Sequence, residues 1–231
     1  MSTKHIKSLS GSIAAIVLLL GCNSTQGSVD ADGVLEKGVR IISVPAEKIP
    51  DTLKVFRGNA VELLFEKSAV PVCSIPAIKN VVVTEKESRL SVSFTAADTG
   101  LFNVFGSDTK QVTLLKVMEY KSDGKTKLTN LSGKKAGEVL KDTSIFILDV
   151  RTPSEFSEGH IPRAEMISVG ELADKIETIE QYKNKPVFVY CRSGNRSIAA
   201  VQILTKRGFT NIYHLNGGIK SWIKEGLPIE K

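Results

Sequence analysis

Apolar residues fall in two rhythms along this chain. From Gly38 to Tyr120 they form short runs: Val39–Val44, Leu53–Phe56, Ala60–Phe65, Leu90–Phe94 and Val112–Val117. Several alternate with polar positions, and most are rich in β-branched or aromatic residues, the pattern of half-buried strands. Arg57-Gly58-Asn59 and Asp98-Thr99-Gly100 punctuate them as turns. Several strands at this spacing predict a small antiparallel sandwich.

Beyond the polar stretch Lys121–Thr126 the rhythm changes. Ile145–Val150 and Val187–Tyr190 are unbroken apolar runs, which predict parallel strands buried on both faces. Helical spacing lies between and around them, at Ala136, Val139 and Leu140, at Leu172, Ile176 and Ile179, and at Ile198, Val201, Ile203 and Leu204. Ile219, Trp222 and Ile223 mark a terminal helix with Trp222 in the core. Strand alternating with helix predicts an α/β domain with a parallel sheet, whose ligands bind at the carboxyl ends of the strands.

The N-terminus follows neither rhythm. Lys4 and Lys7 precede a short apolar run, Ile13–Leu20, which has the proportions of a secretory signal and is too short to span a bilayer comfortably. Its end, Leu19-Leu20-Gly21-Cys22, resembles a bacterial lipobox. That resemblance implies that Cys22 is acylated and becomes the mature N-terminus, anchoring the protein to a membrane in the cell envelope, facing the periplasm. Asn23 after the cysteine points, by the same analogy, to the outer membrane. The alternative is a plain signal peptide with an incidental cysteine. Asn23–Asp32 is polar and reads as a tether. The expected organisation is therefore a signal peptide over 1–21, a tether over 22–32, a β domain over 33–120, a linker over 121–127 and an α/β domain over 128–231.

Composition changes little in this picture. With 231 residues, 42% hydrophobic and 24% charged, the chain is ordinary globular protein of one or two domains. Setting Lys4 and Lys7 aside leaves +4 of the formal +6, interspersed with acids, so no nucleic-acid partner is implied.

The order of pieces in the β domain, from Pro50 to Phe65 and then Phe94 to Phe102, resembles a cupredoxin-like domain. A copper site of that kind needs two imidazoles and a thiolate. The three histidines are His5, His160 and His214, so the β domain has none. No metal or cofactor is expected, and the domain reads as a copper-free spacer or a module that binds a periplasmic protein partner. Cys73 is either a buried structural thiol or a redox partner of Cys191.

Cys191 carries the candidate chemistry. It stands directly after a predicted strand and is followed by Arg192-Ser193-Gly194-Asn195-Arg196-Ser197 and then a helix. A cysteine there faces unpaired backbone N–H groups and the positive end of a helix dipole, which stabilise a thiolate; the two arginines add to this. Gly194 permits the tight turn that aims those amides inward, making a cup for an anion around a nucleophile.

This loop resembles the active-site loop of single-domain rhodaneses. Leu148-Asp149-Val150-Arg151, Glu155-Phe156, Gly159-His160-Ile161-Pro162, Leu215-Asn216-Gly217-Gly218, Trp222 and Gly226-Leu227-Pro228 agree with that family, from about Leu128 to the C-terminus. Arg163, where the family has glycine, and Met166, where it often has asparagine, depart from it and are expected to alter pocket edges only. The resemblance implies a sulfurtransferase. Cys191 would take sulfur from thiosulfate or a related donor as a persulfide and pass it to cyanide or a thiol, with Arg192, Ser193, Gly194, Asn195, Arg196 and Ser197 binding the substrate. Arg192 and Arg196 are expected to attract an oxyanion donor. Asp149, Arg151 and Glu155 are expected to pair among themselves, and His160 and His214 to be hydrogen-bonded scaffold. The rivals are a phosphatase or arsenate reductase, for which a loop of six residues from Cys191 to Arg196 is short, a sulfur carrier or sensor, and a thiol-redox protein.

Overall fold

The computed structural model describes residues 30–231. The predicted signal peptide, Cys22 and the tether up to Val29 lie outside the described residues.

Eight strands build the N-terminal part: β1 (Val34–Glu36), β2 (Val39–Val44), β3 (Thr52–Phe56), β4 (Ala60–Glu66), β5 (Val82–Lys86), β6 (Arg89–Thr95), β7 (Gly100–Phe105) and β8 (Gln111–Met118). They form two sheets, ordered β1-β2-β4-β6-β5 and β3-β8-β7. Alternation works as expected in β4, where Val61, Leu63 and Phe65 turn inward. They meet Leu53, Val55 and Leu115 from the other sheet, each buried side chain contributing about 1.5–3 kcal/mol. The expected antiparallel arrangement needs correction, because β2 pairs with β4 and β3 with β8 in parallel. Each parallel pair is joined by a crossover to the other sheet, so both sheets are mixed.

The C-terminal part alternates as predicted: β9 (Lys127–Leu131), α1 (Gly133–Val139), β10 (Phe146–Asp149), α2 (Pro153–Glu158), β11 (Glu165–Met166), a 3-10 helix at Ile176–Tyr182, β12 (Pro186–Tyr190), α3 (Asn195–Lys206), β13 (Asn211–Leu215) and α4 (Gly218–Lys224). The sheet order is β11-β10-β12-β13-β9, with every pair parallel. Its central strands bury both faces, Val187 and Val189 against α3 and Phe188 and Tyr190 against α1 and α4. Trp222 is core, its indole N–H donating to Pro228 O at 2.7 Å, but Ile223 beside it is exposed. The expected linker is shorter than 121–127. Thr126 is buried and donates to Phe209 O, and Lys127 already belongs to β9.

Among the contacts that join the parts, two fall on α3. The buried Arg40 guanidinium of β2 donates to Gln202 Oε1 at 2.7 Å. The β3–β4 turn sets Gly58 so close to Asn195 that a Cβ there would lie 2.6 Å from the Asn195 carbonyl oxygen. Among the described residues, no helix is long and apolar enough to cross a membrane.

Candidate active site

Cys191 follows the last residue of β12, and α3 begins at Asn195, so the chain turns from strand to helix within the four residues Cys191 to Gly194. Gly194 makes that turn with φ +90°, a conformation costly for any residue with a Cβ. The Gly194 N–H donates to Cys191 Sγ at 3.2 Å, a helix-start amide directed at the sulfur.

The outer side of the loop is held by α4. Ile219 N–H donates to Cys191 O at 2.8 Å and Lys220 N–H to Arg192 O at 3.3 Å. Across planar trans peptides, the Arg192 and Ser193 N–H groups therefore face away from α4. Gly218 allows this approach, since a Cβ on it would meet Cys191 O at 2.3 Å. Gly218 belongs to the family-like Leu215–Gly218 segment, yet nothing in the sequence marks it as the loop's backing.

Cys191 is fully buried and Ser197 lies beneath it, its Oγ 3.5 Å from Sγ. Ser197 also contacts Gly194 O at 3.0 Å and His214 Nε2 at 2.8 Å. Burial pushes the His214 imidazole down to about 4, so it is neutral near pH 7. Arg192 and Ser193 are exposed at the mouth, and Asn195 and Arg196 are partly buried. Beside the loop is a cleft of about 240 Å³, lined by Arg192, Lys220, Ile219, Arg151 and Glu155.

The charges pair differently from the sequence expectation. Arg151 and Asp149 do form a buried pair, closest at 2.6 Å. Glu155 instead takes both terminal nitrogens of Arg196 at 2.7 Å each. Those bonds hold the Glu155 carboxyl at about 2, well below its ordinary value, and raise the Arg196 guanidinium. Glu155 is placed for this by α2, whose capping box with Thr152 fixes its position. Of the two arginines expected to meet an oxyanion, Arg192 alone is left substantially open.

Arg163 and Met166 lie away from this cup. Arg163 adopts φ +67°, a conformation that suits glycine, and its guanidinium donates to Leu140 O and Thr143 O after α1. Cys73 sits in the core of the β sheets, and neither it nor Cys191 is in a disulfide. Burial pushes the Cys73 thiol up to about 11, which makes it a poor nucleophile at neutral pH.

A parallel α/β domain with a buried cysteine at a strand-to-helix turn defines the class of site. Comparison with known proteins then gives the family. The Rhodanese-like domain matches residues 132–225. A sulfurtransferase of Allochromatium vinosum is 37% identical over 91 residues, covering 39% of this chain and 83% of that protein. The thiosulfate sulfurtransferase GlpE of Coxiella burnetii is 37% identical over 92 residues, covering 40% of this chain and 84% of its own. The structure of a rhodanese-related protein from Thermoplasma volcanium aligns at 37% identity and a TM-score of 0.40, covering 44% of this chain and 97% of that one. The chain belongs to the rhodanese-like family through its C-terminal domain, which is of the sulfurtransferase type.

Proposed function

We propose that this protein transfers sulfane sulfur from thiosulfate or a related donor to cyanide or a thiol through a persulfide on Cys191. In the first step the Cys191 thiolate attacks the outer sulfur of thiosulfate. The S–S bond breaks and sulfite leaves with the electron pair. In the second step the acceptor attacks the outer persulfide sulfur and restores the thiolate. Sulfite departs as an anion, so no general acid is needed. The observation that carries the reading is the Gly194 N–H on Sγ at 3.2 Å, at the head of a helix with Arg192 open beside it. Arg192 and Ser193 meet the donor at the mouth, Gly194, Asn195 and Ser197 shape the cup, and Arg196 holds the loop to Glu155. GlpE of Coxiella burnetii, similar over this domain, carries thiosulfate sulfurtransferase in its name.

The setting proposed for this activity is the periplasmic face of a bacterial envelope membrane. Its anchor is an acylated Cys22, and the support is the run of charge, apolar stretch and cysteine at the N-terminus. The β domain is proposed to be cupredoxin-like in descent and to bind a protein partner. Copper does not fit it, because Cys73 lies in an apolar core and the domain contains no histidine.

The test is intact mass of the chain from Asn23 onward after incubation with thiosulfate, beside Cys191→Ser. The expected result is gain of one sulfur in the unsubstituted protein only, removed by cyanide. No gain from the reduced protein would overturn the reading.

A further inference from the structure

Behind the nucleophile runs a buried chain of polar groups that the transfer reaction itself does not require. Ser197 Oγ touches Cys191 Sγ at 3.5 Å and His214 Nε2 at 2.8 Å, and His214 Nδ1 lies 2.8 Å from the Asn130 carboxamide. Cys191, Ser197 and His214 come from β12's end, α3 and β13 and are all buried, whereas Asn130, on β9, is exposed.

We propose that His214 is a positioning residue that turns the Ser197 hydroxyl onto the Cys191 sulfur and so sets the ionisation of that thiol. A neutral imidazole has one N–H to place on two nitrogens. Nε2 faces two oxygens, Ser197 Oγ at 2.8 Å and Gly194 O at 3.1 Å. Gly194 O can only accept, so a bare Nε2 would set two lone pairs against each other in a buried site. With the proton on Nε2, one N–H serves both oxygens. The Ser197 hydroxyl, whose other acceptor is Gly194 O at 3.0 Å, is then released from His214. With the imidazole N–H serving that carbonyl, its proton turns to Sγ at 3.5 Å, where it donates to a thiolate or to the inner sulfur of a persulfide. Nδ1, left bare, is met by the Asn130 NH2 after a half-turn of that carboxamide, which changes no shape.

Other charges also act on this sulfur. Arg192 and Arg196 flank it from its own loop and α3, Asp149 and Arg151 stand at the end of β10, and Glu155 reaches the arginines from α2. Tyr190 precedes it on β12, Lys220 lines the neighbouring cleft, and Arg57 with Glu119 faces His214 from the β sheets. All stay in place when His214 or Ser197 is changed, so their fields cancel between variants.

This inference rests on Cys191 as the reacting thiol. Its test needs no sulfur donor, so it can fail while persulfide loading succeeds, and the reverse. The full chain in detergent is alkylated with iodoacetamide across pH, and the Cys191 peptide is quantified for the unsubstituted protein, Ser197→Ala, His214→Phe and the double variant. A hydrogen bond to a charged group supports about one pH unit or more. Each single variant is therefore expected to raise the midpoint by about that much, with about tenfold less reactive thiolate at neutral pH. The double variant should go no further than the larger single one, and His214→Gln, which keeps an N–H for Gly194 O, should recover part of the shift. Unchanged midpoints, or shifts that add in the double variant, would overturn the proposal. If His214→Phe does not fold, Ser197→Ala decides in its place: a midpoint equal to that of the unsubstituted protein overturns the proposal.

Discussion

Arg196 lays both terminal guanidinium nitrogens on the carboxylate of Glu155 at 2.7 Å each, while Arg192 approaches that carboxylate only to 4.0 Å, its side chain 61% exposed. The two arginines of one loop are thus divided between holding the loop and facing the solvent. The expectation is that Arg192→Ala raises the KM for thiosulfate about tenfold, the effect of one charge-assisted hydrogen bond, and changes stability by less than about 0.5 kcal/mol. Arg196→Ala strands the largely buried Glu155 and is expected to cost about 1–2 kcal/mol in denaturant unfolding. Equal effects of the two substitutions on KM and on stability would show that the division is not real.

Much of this arrangement was legible in the chain, and the reasons for the gaps are physical. Long apolar runs such as Val187–Tyr190 announced central parallel strands because burial on both faces leaves no polar alternation. Val34–Glu36 and Gly100–Phe105 were not singled out as strands, since three residues or a run opened by glycine carry little period. The parallel pairing of β2 with β4 was invisible, because periodicity records which face is buried and not which neighbour lies alongside. The Ile176 to Ile179 spacing of three suits a 3-10 helix as well as an α-helix, and the tighter form is adopted. Cys191 was legible because its surroundings are local. The partners of the loop were not: Glu155 lies 41 residues before Arg196, and Asn130 lies 84 before His214.

The Glu155 bond gives stability a definite dependence on acid. Its folded carboxyl sits at about 2 against an ordinary value of 4.5, so the folded state binds fewer protons than the unfolded state between those limits. The stabilisation is therefore complete above the unfolded value and is lost as pH falls from about 5 toward 2. Comparing unfolding free energies at pH 5 and pH 3 in the unsubstituted protein and Glu155→Gln isolates it. A smaller loss is expected in the variant, and identical losses would remove Glu155 from the account.

His214 acts over a higher window with the same sign. Its folded value of about 4 lies below the ordinary 6.5, with burial the main cause. Unfolding below pH 6.5 lets the imidazole take up a proton that the core refuses, so stability is full above about 6.5 and declines toward 4. A displacement of this size corresponds to roughly 3 kcal/mol at the lower limit. Unfolding free energies at pH 7 and pH 5 should differ more in the unsubstituted protein than in His214→Gln. An equal difference would place the acid-sensitive group elsewhere.

The β region meets the head of α3 through Gly58, and a single methyl group tests whether that contact matters. Gly58 has φ +87°, and a Cβ on it would lie 2.6 Å from Asn195 O, where α3 begins. Gly58→Ala must therefore strain its own turn, push the first residue of the helix, or both. A stability loss of about 1–3 kcal/mol is expected. Backbone strain alone does not predict any effect on Cys191, and Gly124 supplies the comparison. It has φ +80° in the polar connection, with open space where its Cβ would stand, so Gly124→Ala incurs the conformational cost without touching the loop. If the contact helps to place the nucleophile loop, Gly58→Ala slows sulfur gain at Cys191 severalfold while Gly124→Ala leaves it unchanged. Equal rates in the two variants would mean that the β sheets rest against the catalytic helix without shaping it, and that their role lies away from the sulfur chemistry.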